Sequence, residues 1–389
     1  MSATTALAWS PDRDGEKISP GPAVLTGSGQ AFPPGKSQQE YWDGFYGPHT
    51  GHSRWARAVF LDAGCSRRHT AVDPTVEDIS AWSTGQRMAR YMEEALPLAT
   101  RSATRALESS GLAVGDLGLL AVVSCTGYAT PGLDIRLAEA LGADPSLQRL
   151  LIGHMGCYAA LPGLGAVSDA VVARRHPGLL VCVEVASLHV QPPPGGGGPR
   201  GGRDLEQVVA HALFSDGAAA VVVEPGSSPA PARLGPAQPG LACAGLAVVD
   251  VAARTDVGTA DHMTWDITDL GFRMGLSRRV PAVLARHVGP LVDGLLQANG
   301  LRRCDIDGWA VHPGGPRILD VVADRLGLPP NALALSRQVL DQHGNCSSPT
   351  VLLVLELLRS SAPIAAGRHV VALAFGPGLT LYGVLLRAV

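Results

Sequence analysis

The chain has 389 residues, 46% of them apolar, with 31 Lys+Arg against 34 Asp+Glu and a formal net charge of −3. That length and apolar share exclude a disordered chain and leave room for one large core or two packed halves. The near-balanced charge gives no footprint for nucleic acid or an anionic membrane, so the expected partners are small molecules.

Residues 1–20 are polar and punctuated by Pro and Gly, and they read as a loose N-terminal arm ahead of a first strand near Pro22–Gly27. They lack the basic run and apolar stretch of a secretory leader, and no later segment offers roughly 18 uncharged apolar residues in a row, so no membrane span is expected. Short aliphatic runs at Leu119–Val123, Leu179–Val183 and Val370–Leu373 predict buried strands. Between them Ile135–Leu141 and Val351–Leu358 show helical spacing. The alternation predicts an α/β protein whose sheets are covered on both faces. Pro192–Gly202 predicts an exposed loop, and without Gly-Lys-Ser/Thr it is no phosphate loop. The cysteines at 65, 125, 157, 182, 243, 304 and 346 are odd in number and lack CxxC spacing, which indicates neither disulfides nor a metal site and fits a reducing cytoplasm.

The chain also repeats itself. LLAVVSCTGYATPGLDIRLAEALG, HMGCYAALPGLGAVSDAV and RHPGLLVCVEV follow the same order as IDGWAVHPGGPRILDVVADRLG, QHGNCSSPTVLLVLELL and GRHVVALAFGPG. Each series is a strand, a Pro/Gly turn, a helix ending at Leu-Gly, a turn into a second helix, and a strand. Gly156-Cys157 falls on Gly344-Asn345. Two duplicated βα halves, 21–235 and 236–389, related by a pseudo-twofold axis would bring the turns at 157, 312 and 345 to one crevice.

Those turns carry the chemistry. Cys157 follows the strand-like run Arg149–Ile152 at the small-residue start of a helix, where the helix dipole is expected to favour the thiolate. His312 leaves the strand Gly308–Val311 into Pro313-Gly314-Gly315 and is placed to pair with a thiolate or polarise an acyl oxygen. Asn345 opens a helix, the position of an N-cap, but its amide can instead donate to an enolate oxygen. Nucleophile, polariser and amide donor together fit decarboxylative Claisen condensation on a cysteine thioester.

The strings HMGCYAALPGLG, AHALFSDGAAAVVV, WAVHPGGPRILD, QHGNCSSP and AFGPGLTLYGVLLRAV, which cover most of the chain from about residue 115 onward, resemble the chalcone synthase family, the type III polyketide synthases of bacterial type. The resemblance implies a thiolase fold with an αβαβα layered core and a cytoplasmic homodimer. It implies an acyltransferase that needs no cofactor, takes acyl-CoA and malonyl-CoA as substrates, and cyclises its product to an alkylpyrone, resorcinol or related small aromatic. It makes Cys157 the acyl-bearing nucleophile and His312 and Asn345 the pair that binds the thioester carbonyl. Phe214 resembles the gatekeeping phenylalanine, and Phe272 is similar to a second gatekeeper. Gly314 falls in the turn after the histidine, and Gly376-Pro377-Gly378 resembles the loop that shapes the cavity wall. Cys125, Ala186 and His189 fall at cavity-lining positions, with His189 expected to narrow or polarise the pocket. Thr130 falls where family members reach across the dimer interface. Arg54, Arg57, Arg67 and Arg68 are the candidates for the CoA phosphates.

The nearest rival is a 3-oxoacyl carrier-protein synthase III, which typically has His-Gln-Ala-Asn where this chain has His312-Pro313-Gly314-Gly315. A cysteine hydrolase has no use for the amide at Asn345. A catalytically silent scaffold would be expected to lose one of the three residues, and none is lost.

Overall fold

The computed structural model describes residues 21–191, 202–226, 245–361 and 364–389; the expected N-terminal arm, the Pro/Gly segment at 192–201 and the half boundary at 235–236 lie outside them. The strands in chain order are β1 (Ala23–Ala31), β2 (Gly35–Ser37), β3 (Arg67–His69), β4 (Leu119–Val123), β5 (Gln148–Ile152), β6 (Gly178–Glu184), β7 (Gly217–Pro225) and β8 (Leu246–Thr255). They continue with β9 (Met263–Thr268), β10 (Gly271–Leu276), β11 (Ile306–Val311), β12 (His369–Gly376) and β13 (Thr380–Ala388). Nine of them form one mixed sheet in the order β11-β12-β13-β8-β1-β7-β6-β4-β5, while β2 pairs with β3 and β9 with β10.

That order contains the duplication. Outward from the centre, β1-β7-β6-β4-β5 mirrors β8-β13-β12-β11, and the halves join where β1 runs antiparallel to β8 through Val24↔Ala247 and Leu25↔Leu246. The parallel pair β4/β6 has its counterpart in β11/β12. The repeat breaks at one place: between its two helices the first half forms the edge strand β5, whereas the second forms the helix Ala334–His343.

The strands are continuously apolar because both faces are covered. Along β4, Ala121 and Val123 face the middle layer while Leu120 and Val122 face the outside, and β6 alternates in the same way. The middle layer is the helix pair Ala160–Arg174 and Pro349–Ser361. Thr84–Ser110 and Leu133–Ala140 cover the first half, and Val280–Ala298 and Pro316–Leu326 cover the second. Helix, sheet, helix, sheet, helix is the layered core that the repeat implies. The segment Gly156–Arg174 is long and apolar enough to cross a membrane by composition, but its apolar side chains sit in that middle layer.

The longest helix is tied down at both ends. Ser83 and Gln86 form a capping box at its start, and Gly111 takes the left-handed conformation at its end. It lies directly on β1, because a Cβ at Gly29 would fall 2.2 Å from the Ser102 carbonyl oxygen and one at Gly27 would fall 2.3 Å from that of Ala106.

Candidate active site

Cys157 lies where β5 turns back into the middle layer. The turn needs a left-handed Gly156, with φ +75°, and a Cβ there would come within 2.9 Å of the Pro377 ring. On the other side Gly376 closes down: a Cβ on it would be 2.9 Å from the Tyr158 ring and 3.4 Å from the Cys157 nitrogen. The sulfur is enclosed, with 7% of the residue exposed.

Burial pushes the thiol up to about 11; side-chain hydrogen bonds from Ser347 and Asn345 pull it back, and the charge of Glu184 works against them. The expected helix-dipole lowering is opposed here by burial. Cys157 sits in a single 3-10 turn, Gly156–Tyr158, and the α-helix begins only at Ala160, so desolvation outweighs the dipole.

Asn345 is carried to the sulfur by the first half of the chain. Its N–H donates to the Leu213 carbonyl (2.8 Å), and its own carbonyl accepts from the Ser215 N–H (2.9 Å), which pins it beside Phe214. It is not the helix N-cap, since the helix starts at Pro349. Its side-chain oxygen accepts the Ser347 N–H at 2.8 Å, and that bond fixes the amide orientation and leaves the NH2 to donate.

His312 follows β11, held by its N–H to the Leu373 carbonyl (2.8 Å), and Gly314 closes the turn by donating to the His312 carbonyl (3.0 Å). Its ring meets Phe375 edge-on at 6.0 Å, next to the Gly376 that presses on Cys157. The imidazole is buried, at 1% exposure, and both ring nitrogens lack a hydrogen-bond partner. Burial pushes it down to about 3, so at neutral pH the ring is uncharged. The imidazole makes no hydrogen bond to the Cys157 thiol. Two orphaned nitrogens in so dry a place are what a substrate carbonyl or enolate satisfies.

A residue outside the sequence-based set organises the floor. Glu184, fully buried at the end of β6, accepts from the Cys125 N–H (2.9 Å), the Thr126 N–H (3.1 Å) and hydroxyl (2.8 Å), and the Ser348 hydroxyl (2.6 Å). Burial pushes its carboxyl upward, and these donors oppose that rise. The signal was present in the sequence as an acid closing an otherwise apolar strand. Cys125 donates its thiol hydrogen to Glu184 (3.4 Å).

Cys157, Cys125, Ala186, Phe214 and Pro377 line one cavity of about 140 Å³. Asn345 is buried beside it, next to Phe214, and His312 is buried against Phe375. Met274, Trp265, Met263, Ser347, Thr126 and His154 also line it, and sequence reasoning missed them.

Phe272 does not line the cavity next to Cys157 but stacks on His189 (4.4 Å, 6°) in the adjoining pocket, which Phe214 also lines; Met274, two residues along the same face of β10, lines both. His189 is also set back: its Nε2 donates to the Thr126 carbonyl (2.7 Å), while its Nδ1 accepts the Phe272 N–H (2.9 Å). With both nitrogens engaged it shapes the wall without offering a polar group, and burial pushes it down to about 4.

Thr130 is exposed, donating to the Tyr128 hydroxyl (3.1 Å), away from the chain's own cavity. Arg54, Arg57 and Arg67 are exposed. Arg68 is not available to CoA phosphates, for it is 2% exposed, donates to Gln38 and to the carbonyls of His211 and Phe214, and lies over the Tyr41 ring. It anchors Phe214 from behind. Gly378 adopts φ +134° beyond Pro377.

A layered, duplicated α/β core that buries a thiol in one half and an imidazole and a carboxamide in the other defines a class of acyl-transferring enzymes that condense thioesters. Residues 65–229 match the N-terminal domain of chalcone and stilbene synthases, and residues 249–389 match the C-terminal domain. The chain belongs to this family, the type III polyketide synthases, and is an acyltransferase of the decarboxylative condensing kind.

Among curated relatives it is 36% identical to 1,3,6,8-tetrahydroxynaphthalene synthase of Streptomyces peucetius subsp. caesius, over 85% of this chain and 83% of the relative. It is 32% identical to the alpha-pyrone synthesis polyketide synthase-like Pks18 of Mycobacterium tuberculosis, over 84% and 80%. The crystal structure of PKS-I from the brown alga Ectocarpus siliculosus superposes with a TM-score of 0.84 at 30% identity, covering 96% of this chain and all of that one. Tetrahydroxynaphthalene synthase of Streptomyces coelicolor A3(2) superposes at 0.82 with 26% identity, covering 94% of this chain and 99% of that one. These matches do not favour the carrier-protein synthase alternative.

Proposed function

We propose that Cys157 is loaded from an acyl-CoA, that malonyl-CoA extends the chain, and that the product leaves as a small lactone of the alkylpyrone type. Malonyl-CoA loses CO2, and the electron pair left behind is delocalised onto the thioester oxygen. The His312 imidazole and the Asn345 NH2 hold that oxygen. The carbanion attacks the acyl carbonyl on Cys157, a carbon–carbon bond forms, and the sulfur departs as thiolate. No cofactor enters these steps, since the thioester and the leaving carboxylate supply all the driving chemistry.

The observation that carries this reading is the orientation of Asn345: with its oxygen spent on Ser347, its NH2 is left as a donor at the Cys157 sulfur. Phe214 and Met274 act as the paired gatekeepers, and the lactone product follows the alpha-pyrone relative. The halves divide near residue 235. The enzyme works in the cytoplasm as a homodimer through the edge strand β5, where Leu150 and Leu151, with the neighbouring Ile135 and Tyr128, are exposed in the single chain. Arg54, Arg57 and Arg67 receive the CoA phosphates.

The test is incubation with a radiolabelled short-chain acyl-CoA, followed by malonyl-CoA and mass spectrometry of products. Label on Cys157 that is lost in Cys157→Ala, with a pyrone formed from malonyl-CoA, is the expected result; absence of label in the wild type ends the proposal.

A further inference from the structure

One residue, Gly344, separates Asn345 from the end of the helix Ala334–His343, so whatever fixes that end also fixes where the amide points. Gly344 has no side chain to do this: it is left-handed, with φ +69°, and a Cβ on it would fall 2.9 Å from the Ser215 Cβ and 3.1 Å from the Arg68 Cγ. The last side chain before it is His343. Its Nδ1 lies 3.1 Å from the Nε2 of His69, a residue 274 positions earlier in the chain.

The direction of that bond follows from its neighbours. The His69 Nδ1 is 3.1 Å from the Pro33 carbonyl, which can only accept, so the ring proton of His69 sits on Nδ1 and its Nε2 carries a lone pair. His343 must then donate from its Nδ1. His69 is itself firmly seated: its N–H donates to the Ser215 hydroxyl (2.8 Å), and its carbonyl accepts from that hydroxyl (3.1 Å) and from the Asp216 N–H (2.9 Å). Ser215 is the residue whose N–H holds the Asn345 carbonyl, so the backbone tie and the imidazole tie grip Asn345 from the same side. Both imidazoles also stack on Phe32, with centroids 4.7 Å away for His69 and 4.3 Å for His343. Phenyl rings would fill this space by dispersion alone. Buried imidazole nitrogens cost desolvation unless they are bonded, so the bonded pair supplies a direction that phenyl rings cannot.

We propose that His69 and His343 are positioning residues for Asn345: their hydrogen bond ties the helix end to β3 and so holds the Asn345 NH2 where the enolate oxygen forms. The inference rests on the donor role proposed above for Asn345. Neither imidazole lines the cavity of Cys157, so the pair acts through the turn and not on the substrate. A donor displaced by an ångström loses much of its hold on a developing charge, and such a displacement slows a reaction by up to roughly 100-fold. Loading of Cys157 does not use the amide and is left intact.

The test loads the enzyme with a radiolabelled short-chain acyl-CoA, adds malonyl-CoA and follows condensation in wild type, His343→Phe, His343→Asn, Asn345→Ala and the double variant His343→Phe/Asn345→Ala. His343→Phe keeps a ring on Phe32 and removes the donor, whereas His343→Asn keeps an amide donor near the former Nδ1 and removes the ring. Expected are label on Cys157 in every variant, condensation slowed by roughly 10- to 100-fold in His343→Phe, and most of the rate recovered in His343→Asn. In the Asn345→Ala background, His343→Phe is expected to add no more than about twofold, because a residue that acts through Asn345 has nothing left to position. Condensation in His343→Phe within about twofold of wild type overturns the positioning role alone. An equal loss in His343→Asn overturns it too, since the ring and not the bond then matters, and so does a full additional loss in the double variant. A full rate in Asn345→Ala removes the donor role of the amide and this inference with it.

Discussion

Asn345 shows how a single side chain is committed to a role by its surroundings. At a helix start an asparagine is ordinarily a cap, but here the helix begins at Pro349 and the side-chain oxygen takes the Ser347 N–H instead, so only the NH2 remains. Replacing it with alanine removes one oxyanion donor, a loss of ~3 kcal/mol in transition-state stabilisation. Asn345→Ala is therefore expected to take label on Cys157 while producing pyrone roughly 100-fold more slowly; a variant with full condensation rates would remove the role assigned to this amide. Cys157 and His312 stood out as candidates because each follows a strand into a turn, and Asn345 because Gly344-Asn345 repeats the place of Gly156-Cys157. Met274 did not stand out, because Phe272 is the more conspicuous residue, and only the path of β10 decides that Met274 lines the cavity of Cys157 while Phe272 lines the adjoining pocket.

At the level of elements, the contact between β1 and the helix Thr84–Ser110 depends on two missing side chains. Gly27 and Gly29 let the strand approach so closely that a methyl group at 29 would penetrate the Ser102 carbonyl, a backbone atom that cannot rotate away. Gly29→Ala is expected to destabilise the chain by about 2–3 kcal/mol, the upper range for overpacking, read as a lower denaturation midpoint with the same cooperativity; unchanged stability would mean the helix can shift outward at little cost. The strands at 119–123, 179–183 and 370–373 and the helices at 135–141 and 351–358 were evident from apolar runs and spacing, since local pattern dictates them. The helix Ala334–His343 was not: Arg149–Ile152 reads as the strand β5, and the repeat gives no reason for a helix in its place in the second half.

Across the whole molecule, burial of ionisable groups links stability to pH. His312 is held down to about 3 and His189 to about 4 in the fold, whereas a free histidine titrates near ~6.5. Between those limits the unfolded chain binds more protons, so their contribution is complete above about pH 6.5 and is lost as pH falls. Asp216, pushed up to about 6 by burial, acts the opposite way, since its protonated form is favoured in the fold. Burial also holds down His69, His211 and His343 and pushes up Glu184, and five imidazoles against two carboxyls leave a net loss on acidification. Urea unfolding at pH 5 is expected to give a lower midpoint than at pH 7.5, and an equal or higher midpoint would show that the imidazoles are hydrated in solution.

The sequence by itself determined the kinds of element, their duplicated order, the family and the choice of Cys157, His312 and Asn345 as candidates, because apolar periodicity, turn residues and short motifs act over a few positions. Only the tertiary structure decided that the Cys157 sulfur is enclosed, that Arg68 serves the interior, and that Glu184 underlies the site. Desolvation and the direction of a side chain are set by every neighbour at once, and those neighbours come from parts of the chain that no local pattern connects.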